Sequence, residues 1–105
     1  MKISSPKPSF ADRRGEIIDI LENEHVNYVM MITFSKGAVR GNHYHNRTEQ
    51  YNYVLRGQLK VTTRHPKGRA RSRTVKTGDL FLIPRRERHV IIALEQSTLL
   101  VLTRG

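Results

Sequence analysis

Two histidines, His43 and His45, stand one residue apart in a stretch that otherwise reads as β-strand. Successive strand side chains point to opposite faces, so an H-x-H pair turns both imidazoles to one face and Tyr44 to the other. Neutral imidazole is the commonest protein ligand for metals, and two converging rings are the start of a site for a divalent ion. Two ligands rarely hold such an ion tightly, so further donors must come from elsewhere in the chain. Glu49 and Gln50 follow closely, and the distant His89 opens another apolar run, HVIIALE.

The arrangement of these residues resembles a known family. Gly37, five residues, His43-x-His45, an acidic or amide position, six residues and Gly57 are similar to the first signature of the cupin superfamily. Gly78, five residues, Pro84, four residues and His89 are similar to the second. Two signatures in the right order are far more specific than either alone, and together they span roughly the central half of the chain. The resemblance implies an all-β domain, a cupin-type jelly-roll β-barrel (double-stranded β-helix). It also implies a divalent metal ion (Zn, Fe, Mn or Ni) bound inside by His43, His45, the Glu49 or Gln50 position, and His89.

This chain departs from the family pattern at three places. Counting six residues back from Gly57 reaches Gln50, so an amide stands where a glutamate is usual. A bulge would bring Glu49 inward instead, because a slip of one residue exchanges the two faces of a strand. We favour Gln50, giving three histidines with an amide oxygen, and keep Glu49 as its alternative. In the second signature Arg86 replaces a glycine, which bears on the turn geometry, and Ala93 replaces an asparagine, which takes a polar group from the pocket wall.

The elements that must position these groups read as strands. Residues 1–9, with Pro6 and Pro8 among serines and lysines, look like an extended N-terminal arm, disordered or crossing to a partner, ahead of a single domain over residues 10–105. A first strand is expected over residues 15–21 and a second over residues 26–34, the latter so continuously apolar that burial on both faces is expected. Residues 48–56 place Gln50, Asn52 and Val54 on one face and Tyr51, Tyr53 and Leu55 on the other. Gly57 then turns the chain into a return strand carrying Leu59, Val61 and Thr63. Short β-rich runs at residues 80–83, 89–95 and 97–103 complete a pattern without a sustained helical period.

Composition narrows the function classes. There is no cysteine, hence no disulfide framework, thiolate metal site or thiol nucleophile. Neither a signal-peptide pattern nor a run of eighteen apolar residues is present, so the expectation is a soluble cytoplasmic protein away from membranes. The net charge of +10 is uneven: residues 1–35 carry four bases against five acids, a balance of −1, and the remainder therefore carries +11. Its densest part is the run Arg64, Lys67, Arg69, Arg71, Arg73 and Lys76, with no acid between. Such a run is either a solvated hairpin tip or a clamp for phosphate.

No nucleophile with an adjacent base is evident, and the catalytic residues stay unassigned. Asn52, Arg40, Arg56 and Tyr53 are expected to contact a small anionic or sugar-type substrate. The phrase RGNHYH is similar to metal-binding cupins of capsular-polysaccharide and deoxysugar pathways, which implies an epimerase or isomerase of a sugar or sugar nucleotide. Two alternatives are a metal-dependent small-molecule dioxygenase and a non-enzymatic ligand-binding or sensing cupin. A homodimer is expected, as cupins commonly pair through their sheets. Nucleic acid is disfavoured, because charge without a recognition motif gives only unspecific attraction.

Overall fold

Alternating apolar residues, interrupted by Gly, Pro and polar turns, produce a fold made of strands. The computed structural model describes residues 1–43 and 47–105, the side chains of residues 42 and 43 excepted, and no helix occurs among them. Consequently no helix is long and apolar enough to cross a membrane among the described residues. The strands are β1 (Lys2–Ser4), β2 (Pro8–Asp12), β3 (Gly15–Ile18), β4 (Tyr28–Phe34), β5 (Val39–His43), β6 (Glu49–Arg56), β7 (Gln58–Arg64), β8 (Ala70–Lys76), β9 (Leu80–Ile83), β10 (Arg88–Ala93) and β11 (Ser97–Arg104).

They form a five-stranded sheet in the order β1-β9-β6-β11-β4, a four-stranded sheet in the order β5-β10-β7-β8, and a separate β2–β3 hairpin. All pairings are antiparallel. The core joins the two larger sheets: Phe34, Val54, Phe81, Leu99 and Val101 come from one, Leu59, Val61, Val75, Ile91 and Ala93 from the other. Leu59 alternates with Lys60 and Val61 with Thr62, so the period of two in the sequence becomes one dry and one wet face. Each large apolar side chain removed from water in this way contributes roughly 1.5–3 kcal/mol.

The β6–β7 turn depends on Gly57, whose φ is +101°; a Cβ there would stand 2.1 Å from the Ser97 hydroxyl oxygen. That hydroxyl instead accepts from the Gln58 amide at 3.1 Å and donates to the Glu95 carbonyl at 2.8 Å. The turn is thereby fastened to the start of β11.

Within the stretch expected as an arm, Lys2–Ser4 pairs with β9 of the larger sheet, and Met1 and Ile3 pack against the core. The arm is held further by the Ser5 hydroxyl, which donates to Asp79 at 2.6 Å. Two expectations are corrected. The strand expected over residues 15–21 ends at Ile18 and is exposed throughout. Finally, β4 is buried on one face only: it is the edge of its sheet, and Val29 and Met31 remain 59% and 66% exposed.

Candidate functional site

A cavity of about 240 Å³ lies between the two sheets. Met30, Ile32, Phe34, Leu99 and Val101 wall it from the larger sheet and Ile91 from the smaller, while Gln50, Asn52, His89 and Arg40 supply its polar groups. Gln50 and Asn52 reach it because they are two apart on β6. Asn52 is buried, and its side-chain N–H₂ donates to the carbonyls of Phe81 and Gln50, each at 3.3 Å. Both bonds use the nitrogen, fixing the amide orientation on the wall.

His89 is 4% exposed on β10. The cross-strand register sets His43 opposite it on β5 and Thr63 opposite it on β7. A register shift beside His89 makes this alignment: Arg40 faces Ile91 and Gly41 faces Val90, yet residue 43 rather than 42 stands opposite His89. Gly41 is required there, since with φ at +98° its missing Cβ would lie 2.8 Å from the His89 carbonyl oxygen and 3.3 Å from its ring. His45 and the side chain of His43 lie outside the described residues.

Glu49 takes a different course. Its carboxylate accepts from the Arg104 guanidinium at 2.9 Å, and Arg104 also pairs with Glu24. The same guanidinium lies 5.6 Å from the centre of the Tyr51 ring. Burial first, and a hydrogen bond with Glu24 second, push the Tyr51 phenol above its ordinary pKa. This cluster joins residues more than fifty positions apart, and nothing local in the sequence signals it.

Of the expected substrate contacts, Asn52 and Arg40 line the cavity, whereas Tyr53 lies on the opposite face of β6 and Arg56 is exposed at its end. Neither of the last two is brought to the cavity. The Arg40 side chain spans the mouth, donating to the Thr33 carbonyl at 3.3 Å with its guanidinium 5.4 Å from the Phe34 ring centre. Ala93 belongs to the apolar core, and Arg86 keeps the turn with a positive φ of 66°.

Among the described residues no three His, Cys, Asp or Glu side chains gather as a metal cluster. The two described donors, a buried imidazole and an amide lining one cavity, are of types that a divalent ion takes, and the register sets residue 43 opposite that imidazole.

The cupin family model matches residues 3–103. This chain belongs to the cupin family. It is 31% identical over 73 residues to the pectin degradation protein KdgF of Dickeya dadantii (strain 3937), covering 70% of this chain and 62% of that relative's length. Among solved structures it resembles a 3,4-ketoisomerase from Helicobacter canadensis, with a TM-score of 0.86 at 21% identity over 99% of this chain and 82% of the other. It also resembles the dTDP-4-dehydrorhamnose 3,5-epimerase of Sulfolobus tokodaii, with a TM-score of 0.84 at 21% identity over 98% and 69%. The structural likenesses establish the jelly-roll fold of this cupin.

Proposed function

We propose that this cupin holds a divalent metal ion through His43, His45, Gln50 and His89 and isomerises or epimerises a sugar or sugar nucleotide. The observation that carries the reading is the cavity itself, in which Gln50, Asn52 and His89 share an otherwise apolar chamber with Arg40 at its mouth. At about 240 Å³ it is smaller than the roughly 300–1,000 Å³ typical of drug-sized ligands and suits a single sugar-sized ring. The likeness to a pectin degradation protein and to sugar-nucleotide epimerases and ketoisomerases supports the same substrate class.

The chain's own groups have distinct tasks in this reading. A bound ion would supply Lewis acidity toward a substrate carbonyl. Asn52, with both described bonds made by its nitrogen, keeps its side-chain oxygen as an acceptor for a sugar hydroxyl. Arg40 offers positive charge to an anionic substituent at the mouth. The apolar wall excludes water and strengthens the electrostatic contacts inside. No carboxylate or phenol occurs among the described lining residues.

Metal analysis of untagged protein, together with incubation of dTDP- or UDP-keto-sugars in deuterated water, tests the proposal. Bound metal is expected in the parent and in His65→Ala and lost in His43→Ala and His89→Ala, with deuterium entering the product at an epimerised or isomerised carbon. Metal retained in both latter variants would remove the metal site, and absence of exchange across the panel would remove the isomerase. The mainly apolar wall favours one second reading, a dioxygenase, since a dry chamber suits dioxygen. Oxygen consumption by the iron-loaded protein, with no deuterium exchange, would select it.

A further inference from the structure

The sequence RARSRTV places arginine at every second position, and β8 converts that spacing into a charged stripe. Arg71 stands opposite Thr63 and Arg73 opposite Val61, both buried residues of β7, so the two arginines lie on the inner face of the small sheet. A groove of about 300 Å³ opens there, lined by Met1, Thr63, His65, Gly68, Arg69, Arg71, Arg73 and Glu87. Its one acid is already engaged: Glu87 forms a 2.9 Å ion pair with the amino group of Met1. Among the described residues no carboxylate pairs with Arg69, Arg71 or Arg73. Three guanidinium groups thus line one concavity without a described acidic partner.

The groove is also aligned with the cavity. His43, His89, Thr63 and Arg71 follow one another across β5, β10, β7 and β8 in a single cross-strand row. Adjacent strands are about 4.8 Å apart, which sets Arg71 about 10 Å from His89 along that row. The row thus sets the arginine two strands away from the imidazole, on the same side of the small sheet.

We infer that the groove formed by Arg69, Arg71 and Arg73 is an oxyanion site for the diphosphate of a sugar nucleotide whose sugar occupies the cavity. Placing the sugar in the cavity rests on the proposed sugar chemistry, whereas the binding of phosphoryl oxygens by the three arginines does not. Phosphoryl oxygens suit the site because arginine forks make paired, charge-assisted hydrogen bonds to them, and a diphosphate offers enough oxygens for three forks. Beside the groove, Thr62 and Ser72 bond to each other on the outer face at 2.7 Å, so the hairpin carrying the arginines is tied across its strands.

Isothermal titration of the metal-loaded protein with inorganic pyrophosphate tests the site without requiring turnover. Pyrophosphate should bind the parent, and Arg71→Ala/Arg73→Ala should weaken it by about tenfold or more while leaving bound metal unchanged. The control Lys36→Ala/Lys60→Ala removes the same charge from exposed positions outside the groove and should retain most of the affinity. Arg71→Lys/Arg73→Lys keeps charge and loses the fork, and should fall between. No binding by the folded parent, or equal loss in the control, would overturn the site and leave the cavity proposal standing. Retained pyrophosphate binding in His89→Ala, with metal lost, would support a groove that works independently of the metal.

Discussion

The Glu49 carboxylate accepts a 2.9 Å hydrogen bond from Arg104, while its neighbour Gln50 lines the cavity. Adjacent strand residues face opposite ways, so the ion pair commits Glu49 to one side of β6 and leaves the amide on the other. We expect Gln50→Ala to weaken metal binding about tenfold and Gln50→Glu to tighten it, because a carboxylate adds charge to the donor set. Glu49→Ala should leave metal affinity unchanged and cost about 0.5–1 kcal/mol of stability, since the pair is partly solvated. Chelator competition combined with thermal melts measures both. Metal lost on Glu49→Ala and kept on Gln50→Ala would reverse the assignment.

Gly41 leaves room for His89 that no other residue would leave. An added Cβ would press on the His89 carbonyl at 2.8 Å and its ring at 3.3 Å, at a φ that alanine adopts only under strain. Gly41→Ala should therefore destabilise by about 1–3 kcal/mol and also reduce metal affinity. The comparison is Gly68→Ala, where the nearest atom to the added Cβ is 3.5 Å away, an ordinary contact. Equal melting temperatures and equal metal retention in the two variants would show that the close approach does not constrain the site.

Much of this was legible in the chain, and the reasons are local. The alternation of Gln50, Asn52 and Val54 gave the inward face of β6, because period two survives whatever the sheet does around it. The run RARSR, by contrast, reads in the sequence only as a hairpin tip or a phosphate clamp, and it is the pairing with Val61 and Thr63 that makes it a strand and tells which face its arginines take. Strand order was not legible. Residues 26–34 read as doubly buried because an apolar run carries no information about whether a second neighbour will pair with it. The expectation of Tyr53 and Arg56 as substrate contacts rests on nearness in sequence alone; Tyr53 takes the face of β6 opposite Gln50 and Asn52, and Arg56 its exposed end. The tie between Glu24 and Arg104 depends on tertiary closure and leaves no local trace.

An uncovered edge strand has a physical consequence. Tyr28, Val29 and Met31 on β4 and Phe10 and Ile17 on the β2–β3 hairpin are all more than half exposed, and among the described residues β4 has only β11 as a neighbour. Unpaired strand edges with apolar side chains pair readily, so we expect a second copy of this chain to cover β4. Light scattering should give a dimer for the parent and a monomer for Met31→Glu, with the melting temperature of the dilute variant near that of the dilute parent. A monomeric parent across the accessible concentration range would dismiss the pairing.

Arg86 occupies a position where the turn between Pro84 and His89 imposes a φ of +66°, and the Glu87 amide reaches back to the Pro84 carbonyl at 3.4 Å. A side chain in this left-handed region costs about 1–2 kcal/mol, whereas glycine carries no such penalty. Glycine in turn loses about 0.5–1 kcal/mol more chain entropy on folding, so the two effects oppose each other and the steric one is larger. Arg86→Gly should consequently stabilise the fold by about 0.5–1 kcal/mol, read as a raised denaturation midpoint at unchanged slope. Arg86→Val should do the opposite, because branching at Cβ makes the left-handed region still less accessible. A lowered midpoint for Arg86→Gly would mean that the arginine side chain contributes more through its contacts than its backbone conformation costs.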